Sequence, residues 1–224
     1  MNASSATYGV LGMLATRPWT GYELTQQVRR SLRFVWPVSE GHLYREQGRL
    51  VELGWATVTE EAAGKRSRKR YAITDAGRVA LADWLATPPE EPHLQVEGVL
   101  RAFYADHGTV ADLEQSLRAT ADGARAMLDD LRAIVGEYLD DDGPLTLLES
   151  GQGGPGDRRE FHGRPMYPER LPVVALAIDA TTRLLAELDG FFAEAADEVA
   201  SWASTHDATL AATTRARLET VRDR

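Results

Sequence analysis

Six consecutive residues, Lys65-Arg66-Ser67-Arg68-Lys69-Arg70, carry five positive charges, and Lys65 and Lys69 are the only lysines in the 224-residue chain. Such side chains hold phosphate oxygens. Their attraction comes largely from counterions released by the polyanion, so it weakens steeply as salt rises. A second group, Ser39, His42, Tyr44, Arg45 and Arg49, with Glu40 and Gly41 among them, is spaced as the polar side of one helix. Arg45 and Arg49 are four residues apart and share a face, where a guanidinium reads a guanine edge or grips a phosphate. A surface ion pair with Glu46 or Glu52 is the competing use of either arginine.

The charge balance agrees with this reading. The net charge is −9, yet residues 1–88 hold 12 Arg/Lys against 8 Asp/Glu and residues 89–224 hold 13 against 26. A head of net +4 on a body of net −13 suits a protein whose head alone meets a polyanion. Other chemistries find little support. The absence of cysteine excludes disulfides, thiolate metal sites and a cysteine nucleophile. Asp140-Asp141-Asp142 lacks the spaced ligands of a cation loop, and Gly151-Gln152-Gly153-Gly154-Pro155-Gly156 lacks the leading strand and the trailing Lys-Ser/Thr of a phosphate loop. No nucleophile-base set, carboxylate pair or metal cluster stands out, so neither an enzyme nor a cofactor is expected. There is no apolar run of about 18 residues and no leader pattern at the start, so the expectation is a cytoplasmic, nucleoid-associated chain with no membrane partner.

The cations need a scaffold, and the chain order supplies one. Val10, Leu11 and Leu14 mark a helix over 7–16, and Arg17-Pro18-Trp19-Thr20-Gly21 turns into a second helix from Tyr22 to Leu32, capped by Thr20. Ser39 caps a third helix that runs to Leu53 and ends at Gly54, with Leu43 and Leu50 on its buried face. Residues 55–60 and 69–74 read as strands around a polar tip at 62–68, and Thr74 or Asp75 starts a helix that reaches Leu85 before Pro88-Pro89. Three helices, a β-hairpin and a further helix make a winged helix-turn-helix, whose third helix fits the major groove while the hairpin reaches adjoining phosphates. The expected fold is therefore mainly α: a winged helix-turn-helix over 1–88, then an α-helical dimerisation and effector domain over 89–224 with a flexible loop near 140–165.

Several of these stretches together resemble the PadR family of bacterial regulators. They are Tyr8 with Val10-Leu11-Gly12, Gly21-Tyr22-Glu23-Leu24, Ser39-Glu40-Gly41-His42-Leu43-Tyr44, Leu50-x-x-Leu53-Gly54, and Arg70-Tyr71-Ala72-Ile73-Thr74-Asp75-Ala76-Gly77. The resemblance covers roughly residues 7–86. Arg45 replaces the proline that usually follows the motif tyrosine, and Gln47 stands where a leucine is usual. The resemblance implies a homodimeric repressor on a palindromic double-stranded operator, released by a small hydrophobic or aromatic effector. Candidate DNA contacts are Ser39, His42, Tyr44, Arg45, Arg49, Lys65, Arg66, Arg68 and Lys69. Trp36, Trp84 and Trp202 are candidate effector-pocket residues, with ordinary core packing as the alternative. A winged-helix protein-interaction module that does not bind DNA is the second functional reading.

In the tail, Leu171, Val174, Ile178, Leu185, Leu188, Phe192, Ala195, Val199 and Trp202 follow 3-4 spacing interrupted by Thr181, and Val110 to Tyr138 holds a similar series. Two core helices within one subunit explain the pattern, as does a dimerisation seam completed by a second chain. The two explanations are compatible.

Overall fold

The computed structural model describes residues 3–63, 66–152 and 159–223, without the side chains of residues 62, 63, 66, 164, 165 and 208. The chain divides into two compact units, Met1–His93 and Leu94–Arg224.

In the first unit, α1 (Ser5–Leu14) starts with a capping box in which the Ser4 hydroxyl accepts from the Thr7 amide. Val10, Leu11 and Leu14 point from it into the core. The turn after α1 contains a short strand that the sequence pattern does not announce, β1 (Trp19–Thr20). Trp19 is buried there, its indole N–H donating to the Met13 carbonyl at 3.0 Å. Thr20 caps α2 (Gly21–Leu32), whose Leu24 and Val28 are buried. Ser39 caps α3 (Glu40–Glu52), and Gly54, at φ 71°, lets the chain leave that helix in the left-handed conformation. The hairpin of β2 (Ala56–Ala63) and β3 (Arg66–Ile73) is longer than expected, because residues assigned to the tip continue the ladder as far as Ala63 opposite Arg66. The sheet order is β1-β3-β2, all antiparallel. α4 (Asp75–Ala86), capped by Thr74, closes the unit, with Trp84 stacked on Tyr8 of α1 at 4.9 Å.

Thr20 stabilises this unit through reciprocal bonds. Its hydroxyl accepts from the Glu23 amide at 3.3 Å, while the Glu23 carboxylate takes the Thr20 amide and hydroxyl, both at 2.9 Å. Partial burial works against the Glu23 charge, but the Thr20 bonds and the Arg17 and Arg70 charges outweigh it and hold the carboxyl below its ordinary value of 4.5. A depressed value stabilises the fold above pH 4.5, and that contribution is lost as acid protonates the group. Thr20→Ala is expected to cost about 1 kcal/mol, the usual worth of such a cap. Urea unfolding at neutral pH checks this as a lower midpoint with an unchanged slope, and the deficit should shrink in acid.

In the second unit, α5 (Glu97–Phe103) sets Gly98 against Thr120 of α6 (Val110–Leu139), which a Thr109–Asp112 capping box starts. The stretch expected as a loop holds α7 (Pro144–Glu149) and a small hairpin, β4 (Glu160–Phe161) with β5 (Arg164–Pro165). α8 (Leu171–Val199) follows, then α9 (Ala211–Arg222). α6 and α8 run antiparallel, since Arg118 pairs with Asp197 at 3.1 Å and Arg125 with Asp189 at 2.8 Å. Their core joins Leu113, Leu117 and Ala121 to Phe192, Ala195, Ala196 and Val199.

Candidate nucleic-acid interface

α3 is anchored on one side and open on the other. Leu43 and Leu50 are fully buried, as their spacing predicts. Gln47, the polar residue at a core position, is equally buried, and its amide donates to the Gly21 carbonyl and the Thr25 hydroxyl, both at 3.1 Å. It therefore ties α3 to α2 by hydrogen bonds in place of leucine packing. Arg29 of α2 adds an ion pair to Glu40 in the first turn of α3. Ser39 is spent on capping, its hydroxyl accepting from the His42 amide at 3.3 Å.

On the open side, Tyr44 is 46% exposed and Arg45 is exposed, while His42 and Arg49 are half-buried. His42 lies between two neighbours, with Nε2 3.3 Å from Glu46 Oε1 and Nδ1 3.4 Å from Arg45 Nη2. Glu46 is only 7% exposed, and its Oε2 accepts from the Thr7 hydroxyl of α1 at 2.6 Å. The helical spacing of Glu46 suggests a surface partner for an arginine, and the structure buries it instead. Its satisfaction depends on a residue 39 positions away, which no local signal announces.

The hairpin sorts its cations. Arg70 is a structural tie: its Nε lies 2.5 Å from Glu61 of β2, and its Nη1 3.9 Å from Glu23 and 3.4 Å from the Pro18 carbonyl. The bond and charge of Glu61, with the Glu23 charge, outweigh partial burial and raise the Arg70 value, so it stays protonated. Arg68 and Lys69 are exposed, and no ion pair holds them among the described residues. They sit in register with Glu61 and Glu60 on β2, acids that a count of cations alone overlooks. The Arg66 backbone opens β3; its side chain and all of Lys65 lie outside the described residues. Burial, and then the neighbouring Tyr44, push the Tyr71 phenol above its ordinary value. Tyr71 and Tyr44 both pack by Gly21, so hairpin and α3 meet at that glycine.

In the second unit, Leu185, Phe192 and Val199 of the predicted seam are buried within the chain, and Leu171, Val174, Ile178, Leu188 and Trp202 are half-buried. Leu188 and Trp202 border the α6–α8 core. Thr181, the interruption in the seam, is buried with its hydroxyl donating to the Ala177 carbonyl at 2.7 Å. A different stripe of α8 lies open: Val173, Leu176, Leu184 and Phe191 are each more than half exposed. Of the candidate effector tryptophans, Trp36 is exposed after α2, Trp84 is taken up by Tyr8, and Trp202 flanks its own unit's core. Among the described residues no helix is long and apolar enough to cross a membrane, and no cluster of three or more acidic or histidine side chains is arranged to hold a metal.

Residues 10–83 match the model of the transcriptional regulator PadR-like family. The negative transcriptional regulator PadR of Bacillus subtilis is 24% identical over 142 residues, covering 62% of this chain and 78% of that protein. The structure of Bacillus subtilis PadR in complex with operator DNA shares the fold at TM-score 0.59 and 19% identity, over 85% of this chain and 99% of that one. Its complex with p-coumaric acid does so at TM-score 0.58 and 17% identity, over 87% and 98%.

Proposed function

From the match of residues 10–83 to the PadR-like family of transcriptional regulators, we propose that the chain is a DNA-binding repressor of that family acting as a homodimer. The observation that carries this reading is the pairing, in one compact unit, of an anchored α3 that exposes Tyr44 and Arg45 with a hairpin that exposes Arg68 and Lys69. α3 has the dimensions to enter a major groove, and the hairpin has the charge to hold phosphate beside it. A two-fold dimer matches a palindromic operator, and linking two weak heads raises affinity through effective concentration. The open stripe of α8 offers the second copy its contact. Work on chromosomal DNA puts the chain in the cytoplasm, at the nucleoid.

The Bacillus subtilis relative is a negative regulator with structures on operator DNA and with p-coumaric acid. By analogy, a small aromatic or hydrophobic molecule releases this repressor. Release requires that the molecule bind the DNA-incompetent dimer more tightly than the competent one, because equal affinity for both shifts nothing.

The test is binding to the DNA upstream of the protein's own gene, titrated with salt, beside a variant with Lys65, Arg66 and Arg68 changed to alanine. The wild type should lose affinity steeply with salt. Each phosphate contact removed should lower the slope of log affinity against log salt by about 0.9, so the triple variant is expected to bind at least tenfold more weakly and with a visibly shallower slope. Absence of binding at low salt, both to this DNA and to a random-sequence pool, would replace the reading with that of a protein-interaction module.

A further inference from the structure

The geometry points to Glu46 as a positioning residue for base readout, one that fixes the tautomer of His42 and through it the guanidinium of Arg45. The inference rests on the DNA-binding reading above and adds a determinant of sequence preference to it.

Polar contacts converge on the Glu46 carboxylate from both sides, from Thr7 of α1 and from Arg45 by way of His42. Glu46 sits on the inner side of α3, 7% exposed, where an acidic group is tolerated only with partners. The Thr7 hydroxyl donates to its Oε2 at 2.6 Å, and that hydroxyl in turn accepts from the Ser4 amide at 3.1 Å within the cap of α1. The other oxygen, Oε1, faces His42 Nε2 at 3.3 Å. A carboxylate facing a ring nitrogen at this distance can only accept, and so favours the proton on Nε2. The neutral ring then leaves Nδ1 as an acceptor, and Arg45, which has only donors, places Nη2 3.4 Å from it. The opposite tautomer would put N–H against N–H at Arg45 and a lone pair against the carboxylate at Glu46. α1 thus sets the orientation of an exposed arginine on the DNA-facing helix through two intervening side chains.

Two readouts test the inference. The first needs no DNA: long-range 1H–15N spectra of the wild type at neutral pH, with His42→Ala identifying the signal. The expected result is a neutral ring protonated at Nε2; an Nδ1–H tautomer or an even mixture overturns the inference, whatever the protein binds. The second is selection from a random-sequence duplex pool by wild type, Glu46→Ala and Glu46→Gln, with thermal melts to confirm folding. Glu46→Ala should keep salt-sensitive binding but lose about tenfold of its preference at the base pair facing Arg45, the usual scale of one arginine–base contact. Glu46→Gln should restore that preference, because its amide oxygen still accepts from Nε2 while its NH2 reverses the bond to Thr7. An unchanged preference in a folded Glu46→Ala variant refutes the inference and leaves the regulator reading standing. Failure of the wild type to bind any duplex removes the regulator reading, and the tautomer experiment still decides what Glu46 does.

Discussion

Leu176→Glu combined with Leu184→Glu is expected to make the protein monomeric and to weaken its operator binding by about 10²–10⁴-fold, the range that linkage of two heads contributes. The argument lies in the two faces of α8. At about 100° per residue, Leu185, Phe192, Ala196 and Val199 lie on one side of the helix; all four are buried, and the last three share a core with Leu113, Leu117 and Ala121 of α6. Val173, Leu176, Ala180, Leu184 and Phe191 fall about 120° away with their own 3-4 spacing, interrupted only by Glu187. Leu176 is 72% exposed and Phe191 55%. Scattered exposed leucines need no explanation, but a row of large apolar side chains along a 29-residue helix marks an interface. A symmetric contact doubles each change, so the double variant sets four carboxylates in the seam. Sedimentation and salt-matched DNA titration together test this. A variant that stays dimeric with unchanged affinity would rule out the stripe as the contact. The parallel change Leu185→Ala should act differently, lowering the stability of the second unit by about 2–5 kcal/mol through a cavity.

α8 also marks a limit of what the sequence shows. Two stripes of 3-4 spacing run along the same helix, and choosing between them requires knowing where α6 lies. The seam legible in the sequence is a real hydrophobic face, and much of it is spent inside the chain. The caps are legible because each is a local event: Ser39 with His42, Thr20 with Glu23, and Thr74 with Gly77 all act within three residues. β1 is not, since two residues between a proline and a helix become a strand only when Tyr71 and Arg70 are paired beside them. The extent of the hairpin is hidden for a related reason. Glu61, Ala62, Ala63 and Arg68 have little strand preference of their own, and pairing across the ladder decides their conformation. In the interface, the residue types are readable while their division of labour is not. Arg70 and Arg68 are indistinguishable by charge and spacing, yet one is bound into the fold and the other is exposed.

Gly77→Ala is expected to destabilise the first unit by about 3 kcal/mol, the upper end of the usual cost of overpacking. Gly77 stands in the first turn of α4, where its amide donates to the Thr74 hydroxyl at 3.0 Å. The same threonine donates its amide to the Trp55 carbonyl at 3.0 Å and its hydroxyl to the Gly54 carbonyl at 2.7 Å. Three backbone segments therefore converge on one point: the end of α3, the return of β3 and the start of α4. A methyl group on Gly77 would lie 2.2 Å from the Trp55 carbonyl oxygen and 2.9 Å from Ile73 Cγ1. Trp55 O is a main-chain atom already engaged by Thr74, so it cannot swing aside as the end of a long side chain would. Relief requires α4 to move, and α4 carries the Trp84 that stacks on Tyr8 of α1. The loss should therefore spread through the unit and appear as one cooperative shift in denaturant unfolding. Gly12→Ala is the control: it too is a helical glycine, and a methyl group added there would meet nothing within 4 Å. That variant should stabilise the unit by about 0.5–1 kcal/mol. Equal behaviour of the two variants would show that helix propensity, and not the approach of Trp55, governs position 77.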